Sequence, residues 1–220
     1  MVLSIKTAVS KNAKILALFA IVCTAIVGLV HSLTKDQIVF QQQQDLLRNL
    51  NSIIAEDSYN NVIYQDCLIL PSDALGTVEP QKIYRARNNE KSISAAITTV
   101  APDGYSGNIE LLIAININGS VSGVRTLKHQ ETPGLGDKIE IRKSDWIKSF
   151  DTKKLANKND GRWLVKKDGG MFDQFTGATI TPRAVVKAVR NTVIYFNEHQ
   201  DKLFESASNC QNKDSAKETL

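Results

Sequence analysis

Three histidines (His31, His129, His199) and three widely separated cysteines (Cys23, Cys67, Cys210) give this 220-residue chain no zinc or iron–sulfur ligand spacing. It also holds no G-x-S-x-G, no P-loop lysine motif and no G-x-G-x-x-G after a strand. The commoner soluble-enzyme classes therefore fall away. Asp173-Gln174-Phe175-Thr176-Gly177-Ala178-Thr179-Ile180-Thr181-Pro182 is polar, rich in small residues and placed directly before the strongest helical pattern in the chain. A helix start presents unpaired N–H groups and a positive dipole end, which suits an anion such as a phosphate. Gly177 and Ala178 would let a ligand approach the backbone closely, although a plain loop with a capping threonine reads the same way. Upstream, His129-Gln130-Glu131-Thr132-Pro133-Gly134-Leu135-Gly136 reads as a rigid bend after a strand with accessible backbone amides. An ordinary strand-to-helix connection is the alternative, and His129 alone reads as a structural histidine.

Thr176-Gly177-Ala178-Thr179 following Asp173, together with Gly104-Tyr105-Ser106-Gly107 and the His129–Gly136 segment in that order, resembles the G subunit of the Rnf/Rsx electron transport complex. The C subunit of the sodium-pumping quinone reductase is the related branch. Asp137-Lys138-Ile139-Glu140 and the Ile180–Val186 continuation favour the Rnf/Rsx branch. The resemblance implies an FMN-binding domain with FMN attached covalently. Thr179 would be the attachment residue, its hydroxyl joined to FMN through a phosphoester by a separate flavin transferase that uses FAD as donor. Asp173, Thr176, Gly177 and Ala178 complete the implied motif, and His129, Glu131, Thr132, Pro133, Gly134, Leu135 and Gly136 are the further expected cofactor-binding residues. No catalytic residue is expected beyond the flavin and no metal. Tyr105, Trp146 and Trp163 are able to stack on an isoalloxazine, but aromatics at such positions read first as core.

These segments need elements to hold them. Ile15 to Leu33 is free of formal charge and, as a helix, reaches about 28 Å, the thickness of a bilayer core. No A-x-A-like cleavage site follows, so a retained transmembrane helix is expected at 15–33. Asp36 to about Glu56 carries Ile38, Leu46, Leu47, Leu50, Ile53 and Ile54 at helical spacing, opposite Gln41 to Gln44, within an amphipathic linker expected at 34–65. Four β-like runs follow: Ile83–Arg87, Ile93–Val100, Ile109–Ile117 and Val121–Lys128. Pro102-Asp103-Gly104 marks a turn, and Asn118-Gly119 a hairpin between the last two runs. Asp145 to Leu155 reads as a helix and Arg162 to Lys166 as a strand. Thr181 is the expected N-cap and Pro182 the first residue of a last helix ending near Ser206. The fold expected is α+β: an N-terminal membrane helix, then an extracytoplasmic FMN-binding domain at 66–208 with a largely antiparallel sheet and flanking helices, then a tail at 209–220.

Charge sets orientation and excludes one class of partner. The net charge is +4, and Lys6, Lys11 and Lys14 supply three of it within residues 1–14, which hold no acid. The nearly neutral remainder excludes electrostatic capture of nucleic acid. By the positive-inside rule the N-terminus, 1–14, is cytoplasmic, and the main domain is periplasmic on a single-pass inner-membrane anchor. An oxidising periplasm favours a disulfide between Cys67 and Cys210, with two free thiols as the alternative, while Cys23 lies in the span. The implied function is an electron relay, a redox subunit of an ion-translocating oxidoreductase complex, whose partners are the other membrane subunits and the flavin transferase. An anchored flavin domain feeding a separate extracytoplasmic reductase, and a non-redox interaction protein, are the competing readings.

Overall fold

The computed structural model describes residues 2–210, without the side chains of residues 2–8 and of Lys11. Lys6 and Lys11, on which the expected orientation partly rests, and the tail from 211 onward lie outside that description. The chain forms two units, residues 1–46 and 47–220. The first is helix α1, which runs without a break over Val2–Asn51 and ends in the second unit. It contains one segment long and apolar enough to cross a membrane, and Ile15 to Leu33 is exposed throughout. The helix stops at Asn51, short of the 65 expected for the linker. There Ile53 and Ile54 leave helical spacing and are buried, Ile53 against Gly123 of the sheet, where a Cβ would come within 2.8 Å of it.

The second unit is built on one antiparallel sheet with strands in chain order: β1 (Cys67–Ser72), β2 (Thr77–Asn88), β3 (Lys91–Ala101), β4 (Ile109–Asn116) and β5 (Val121–Lys128). The four expected β runs fall in β2 to β5. The fifth strand, β1, is a short edge strand with Pro71 beside a bulge, a context in which strand signals are weak. Asn89 (φ 48°) and Glu90 (φ 64°) close the β2–β3 hairpin, both at the positive φ that a two-residue primed turn requires. Side chains alternate across the sheet. Ile83, Ala95, Ile97, Leu111, Ile113 and Val124 join the core packed on helix α2 (Ile180–Glu205), whereas Leu50, Ile53 and Ile54 are buried outside that cluster.

Two expected elements are absent as such. Asp145–Phe150 is a 3-10 helix that stops before 155, because the chain turns at Thr152 (φ 64°) and bonds to the start of β5: Thr152 N–H donates to Val121 O, 2.8 Å, and Val121 N–H to Lys153 O, 2.8 Å. Arg162–Lys166 is not a strand. A single bridge joins Val165 to Phe172, and at Gly170 a Cβ would lie 1.9 Å from Leu164 O, so the chain doubles back too tightly for a ladder. The alternating apolar residues Trp163 and Val165 instead enter an aromatic cluster with Phe150 and Phe172.

Helix α2 is held at its C-terminal end by cations, as the helix dipole favours. Arg85 donates to Leu203 O (2.9 Å) and Ser206 O (2.5 Å), and Arg87 to Phe204 O (2.6 Å). Asp66 pairs with both guanidinium groups. Beyond the helix, Ser208 and Asn209 hydrogen-bond to β1, and Cys210 is joined to Cys67 with the Cα atoms 5.6 Å apart. The end of α2 remote from Thr179 is therefore fixed on the sheet edge.

Candidate functional site at the head of helix α2

At the opposite end of α2 the three sequence segments converge. Thr132-Pro133-Gly134-Leu135 is a type II-like turn: Leu135 N–H donates to Thr132 O at 3.1 Å, and Gly134 sits at φ 77° where a side chain would be strained. Phe175-Thr176-Gly177-Ala178 repeats the device, with Ala178 N–H donating to Phe175 O at 3.2 Å and Gly177 at φ 82°. The two turns touch, since a Cβ on Gly177 would lie 3.4 Å from Leu135 Cδ2. Trp146 supports the second turn from below, packing edge-on against Phe175 and donating its indole N–H to Asp173 O at 2.7 Å.

Between the turns and the helix start lies a pocket of about 260 Å³ lined by Tyr105, Glu131, Thr132, Leu135, Gly136 and residues 177–181. Of the expected cofactor-binding residues, Glu131, Thr132, Leu135, Gly136, Gly177, Ala178 and Thr179 line it. Asp173, Thr176, His129, Pro133 and Gly134 do not. Asp173 pairs instead with Lys166 at 2.6 Å, and Thr176 is exposed on its turn. His129 stands behind the wall: its Nε2 lies 2.9 Å from Glu140 Oε1, and its Nδ1 accepts Glu131 N–H at 3.1 Å. A ring whose Nδ1 accepts carries its proton on Nε2, so it donates to Glu140. That donation, with Arg142 alongside, holds the Glu140 carboxyl below its ordinary range despite partial burial. Trp163 is fully buried, whereas Tyr105 is 66 % exposed at the pocket edge.

The helix start differs from the expected one. Thr179, not Thr181, is the N-cap position, Ile180 is the first helical residue, and Pro182 falls third, still inside the turn whose N–H groups have no helical partner. Thr179 makes no side-chain capping bond, which leaves its hydroxyl and the first helical amides at the pocket uncommitted to each other. Thr181 is not a cap because its buried hydroxyl donates to Glu131 Oε2. Sequence reasoning missed Thr181 and Ile180 as pocket residues. A helix start shifted by two residues was enough to hide them.

Gly136 is a tight joint in the pocket wall. An added Cβ would lie 2.9 Å from Glu131 Cβ, Glu131 Oε2 and Thr181 Oγ1 alike. Gly136→Ala is therefore expected to destabilise the protein by about 1–3 kcal/mol, the usual cost of overpacking. Denaturant unfolding checks this, and a midpoint equal to that of the unaltered protein would contradict the close packing described.

The FMN-binding domain family matches residues 104–194, and the RnfG N-terminal region matches residues 1–53. A protein from Shewanella baltica, named as the G subunit of an ion-translocating oxidoreductase complex, is 52 % identical over 207 residues, covering 94 % of this chain and 98 % of its own. Its namesake from Aliivibrio fischeri is 49 % identical over 208 residues, covering 94 % and 99 %. A crystal structure of Shewanella oneidensis NqrC is similar at 21 % identity with a TM-score of 0.47, covering 70 % of this chain and 75 % of that one. The chain belongs to the family of the G subunits of ion-translocating oxidoreductase complexes.

Proposed function

We propose that the chain is a membrane-anchored flavoprotein subunit that relays electrons within an ion-translocating oxidoreductase complex, through FMN bound covalently at Thr179. One observation carries the reading: Thr179 stands at the uncapped start of α2, in the wall of the pocket formed by the three glycine-containing segments. A threonine hydroxyl with no capping duty is available for a phosphoester, and the first helical amides and the dipole favour the negative phosphate beside it.

The residues present fit the cofactor. About 260 Å³ is below the roughly 300–1,000 Å³ typical of a site for a whole ligand of this size, so the pocket suits the phosphate and ribityl end. Leu135, Ile180 and Tyr105 are exposed at its edge and offer apolar surface for a ring. Bound FMN supplies one- and two-electron transfer, which suits exchange with a neighbouring redox subunit. The protein's part is position: a phosphoester at Thr179 keeps the cofactor from diffusing into a large extracytoplasmic volume. A flavin transferase using FAD as donor would form the Thr179 Oγ1–phosphorus bond as the phosphoanhydride to AMP breaks and AMP leaves with the hydroxyl proton.

Helix α1 supports a single-pass anchor, and the lysines of residues 1–14 are the ground for reading the N-terminus as cytoplasmic and the domain as periplasmic on the inner membrane. A reporter fused after Leu220 is expected to be active only on the periplasmic side, and activity only in the cytoplasm would reverse the topology. Purification of the tagged protein from detergent-solubilised membranes is expected to bring down multi-span membrane subunits in stoichiometric amount. Recovery of the flavin-loaded chain alone, with a soluble reductase as its electron acceptor, would contradict membership of a translocating assembly.

A further inference from the structure

The most deeply buried charge at the pocket is Glu131, only 4 % exposed, and among the described residues no ion pair compensates it. Its carboxylate is instead hydrogen-bonded across the three segments that build the site. Ser106 N–H of the Gly104–Gly107 turn donates to Oε1 at 3.0 Å, and the Thr181 hydroxyl in the first turn of α2 donates to Oε2. Glu131 itself belongs to the second segment, and its own N–H is held by His129 Nδ1. The space for the carboxylate is made by two glycines: a Cβ on Gly104 would lie 2.9 Å from Oε1, and one on Gly136 would lie 2.9 Å from Oε2.

A buried carboxylate is stable only where its oxygens are satisfied, and hydrogen bonds to a charged acceptor are about twice as strong as neutral ones. Here one donor is a backbone amide of a tight turn and the other sits two residues beyond Thr179. We propose that Glu131 is a positioning residue that locks the first turn of α2 to the 104–107 and 131–136 turns, and thereby fixes where the Thr179 hydroxyl faces for flavin attachment. This rests on the reading of Thr179 as the attachment residue. Each carboxylate oxygen holds a protein donor, and through the Thr181 bond Glu131 acts on the helix start that carries Thr179.

The test uses the full-length protein in detergent, as purified without flavin for amide hydrogen exchange and with FAD and flavin transferase for the rate of FMN incorporation. Thr181→Val keeps the shape and removes the donor; Glu131→Ala removes the acceptor; Thr181→Ser keeps the donor. Exchange across residues 176–186 is expected to rise at least about tenfold in Thr181→Val and in Glu131→Ala, with FMN incorporation slowed by roughly the same factor. The double variant should be no worse than Glu131→Ala, because the bond that Thr181→Val deletes is already lost in Glu131→Ala, and Thr181→Ser should behave as the unaltered protein. Unchanged exchange at 176–186 in Thr181→Val overturns the proposal. So does faster exchange with unchanged incorporation, which would leave the contact a merely structural one. If Glu131→Ala does not fold, Thr181→Val still decides. Failure of the unaltered protein to accept FMN would count against Thr179 as the attachment residue, while the exchange result continues to judge the lock.

Discussion

Thr179→Ala is expected to yield a folded protein with no covalent flavin. The helix should survive the change because the Thr179 side chain makes no capping bond. The stability loss should therefore fall at or below the low end of the roughly 0.5–2 kcal/mol that loss of a true cap costs. The cofactor should be lost almost completely: the helix dipole contributes only about 0.3–1 kcal/mol to holding a phosphate, too little to retain FMN without the bond. Thr176 is the nearby rival, exposed at the corner of the Phe175–Ala178 turn and outside the pocket lining. Thr176→Ala is accordingly expected to remain loaded. Fluorescence of the protein band after denaturing electrophoresis compares the two variants directly, and a Thr179→Ala band that keeps its flavin signal would contradict the assignment.

The largest expected effect on stability belongs to the Cys67–Cys210 link, which spans 143 residues of chain. The loop-entropy relation puts its contribution at up to about 5 kcal/mol, an upper bound because a compact unfolded state has less freedom to lose. Cys67→Ser or Cys210→Ser should lower the denaturant midpoint correspondingly, and reductant should have no further effect on either variant. The C-terminal segment should not detach entirely, since Ser208 and Asn209 keep their hydrogen bonds to β1. FMN incorporation should be unaffected, because the link lies at the far end of α2 from Thr179. Quantitative thiol labelling of Cys210 in unreduced folded protein would exclude the bridge.

Elements with strong local signals were legible in the sequence. The apolar run around Ile15–Leu33, the Asn118-Gly119 hairpin and the apolar stripe of the last helix each follow from short-range periodicity or turn chemistry, and each falls within the observed element. The stretch from 136 to 178 was not, because tertiary contacts decide it. Trp163 and Val165 alternate as a strand would, yet the glycines at 169 and 170 fold the chain back and turn the alternation into an aromatic cluster. At the site, the first glycine turn could be read from Thr-Pro-Gly, where positive φ at the glycine is a local requirement, whereas Thr-Gly-Ala read only as a loop of small residues. The helix start could not. Thr181 has every local mark of an N-cap, but a buried carboxylate 50 residues away takes its hydroxyl, and a long-range partner of that kind leaves no trace in nearby sequence.

Intact-mass spectrometry of the denatured protein from its native membrane, followed by peptide mapping, bears most directly on whether Thr179 carries the flavin. The expected result is one FMN phosphoester increment per chain, localised to Thr179 within the peptide spanning 173–183. A chain of unmodified mass, or an increment that maps to Thr176 or to any other residue, would contradict the account.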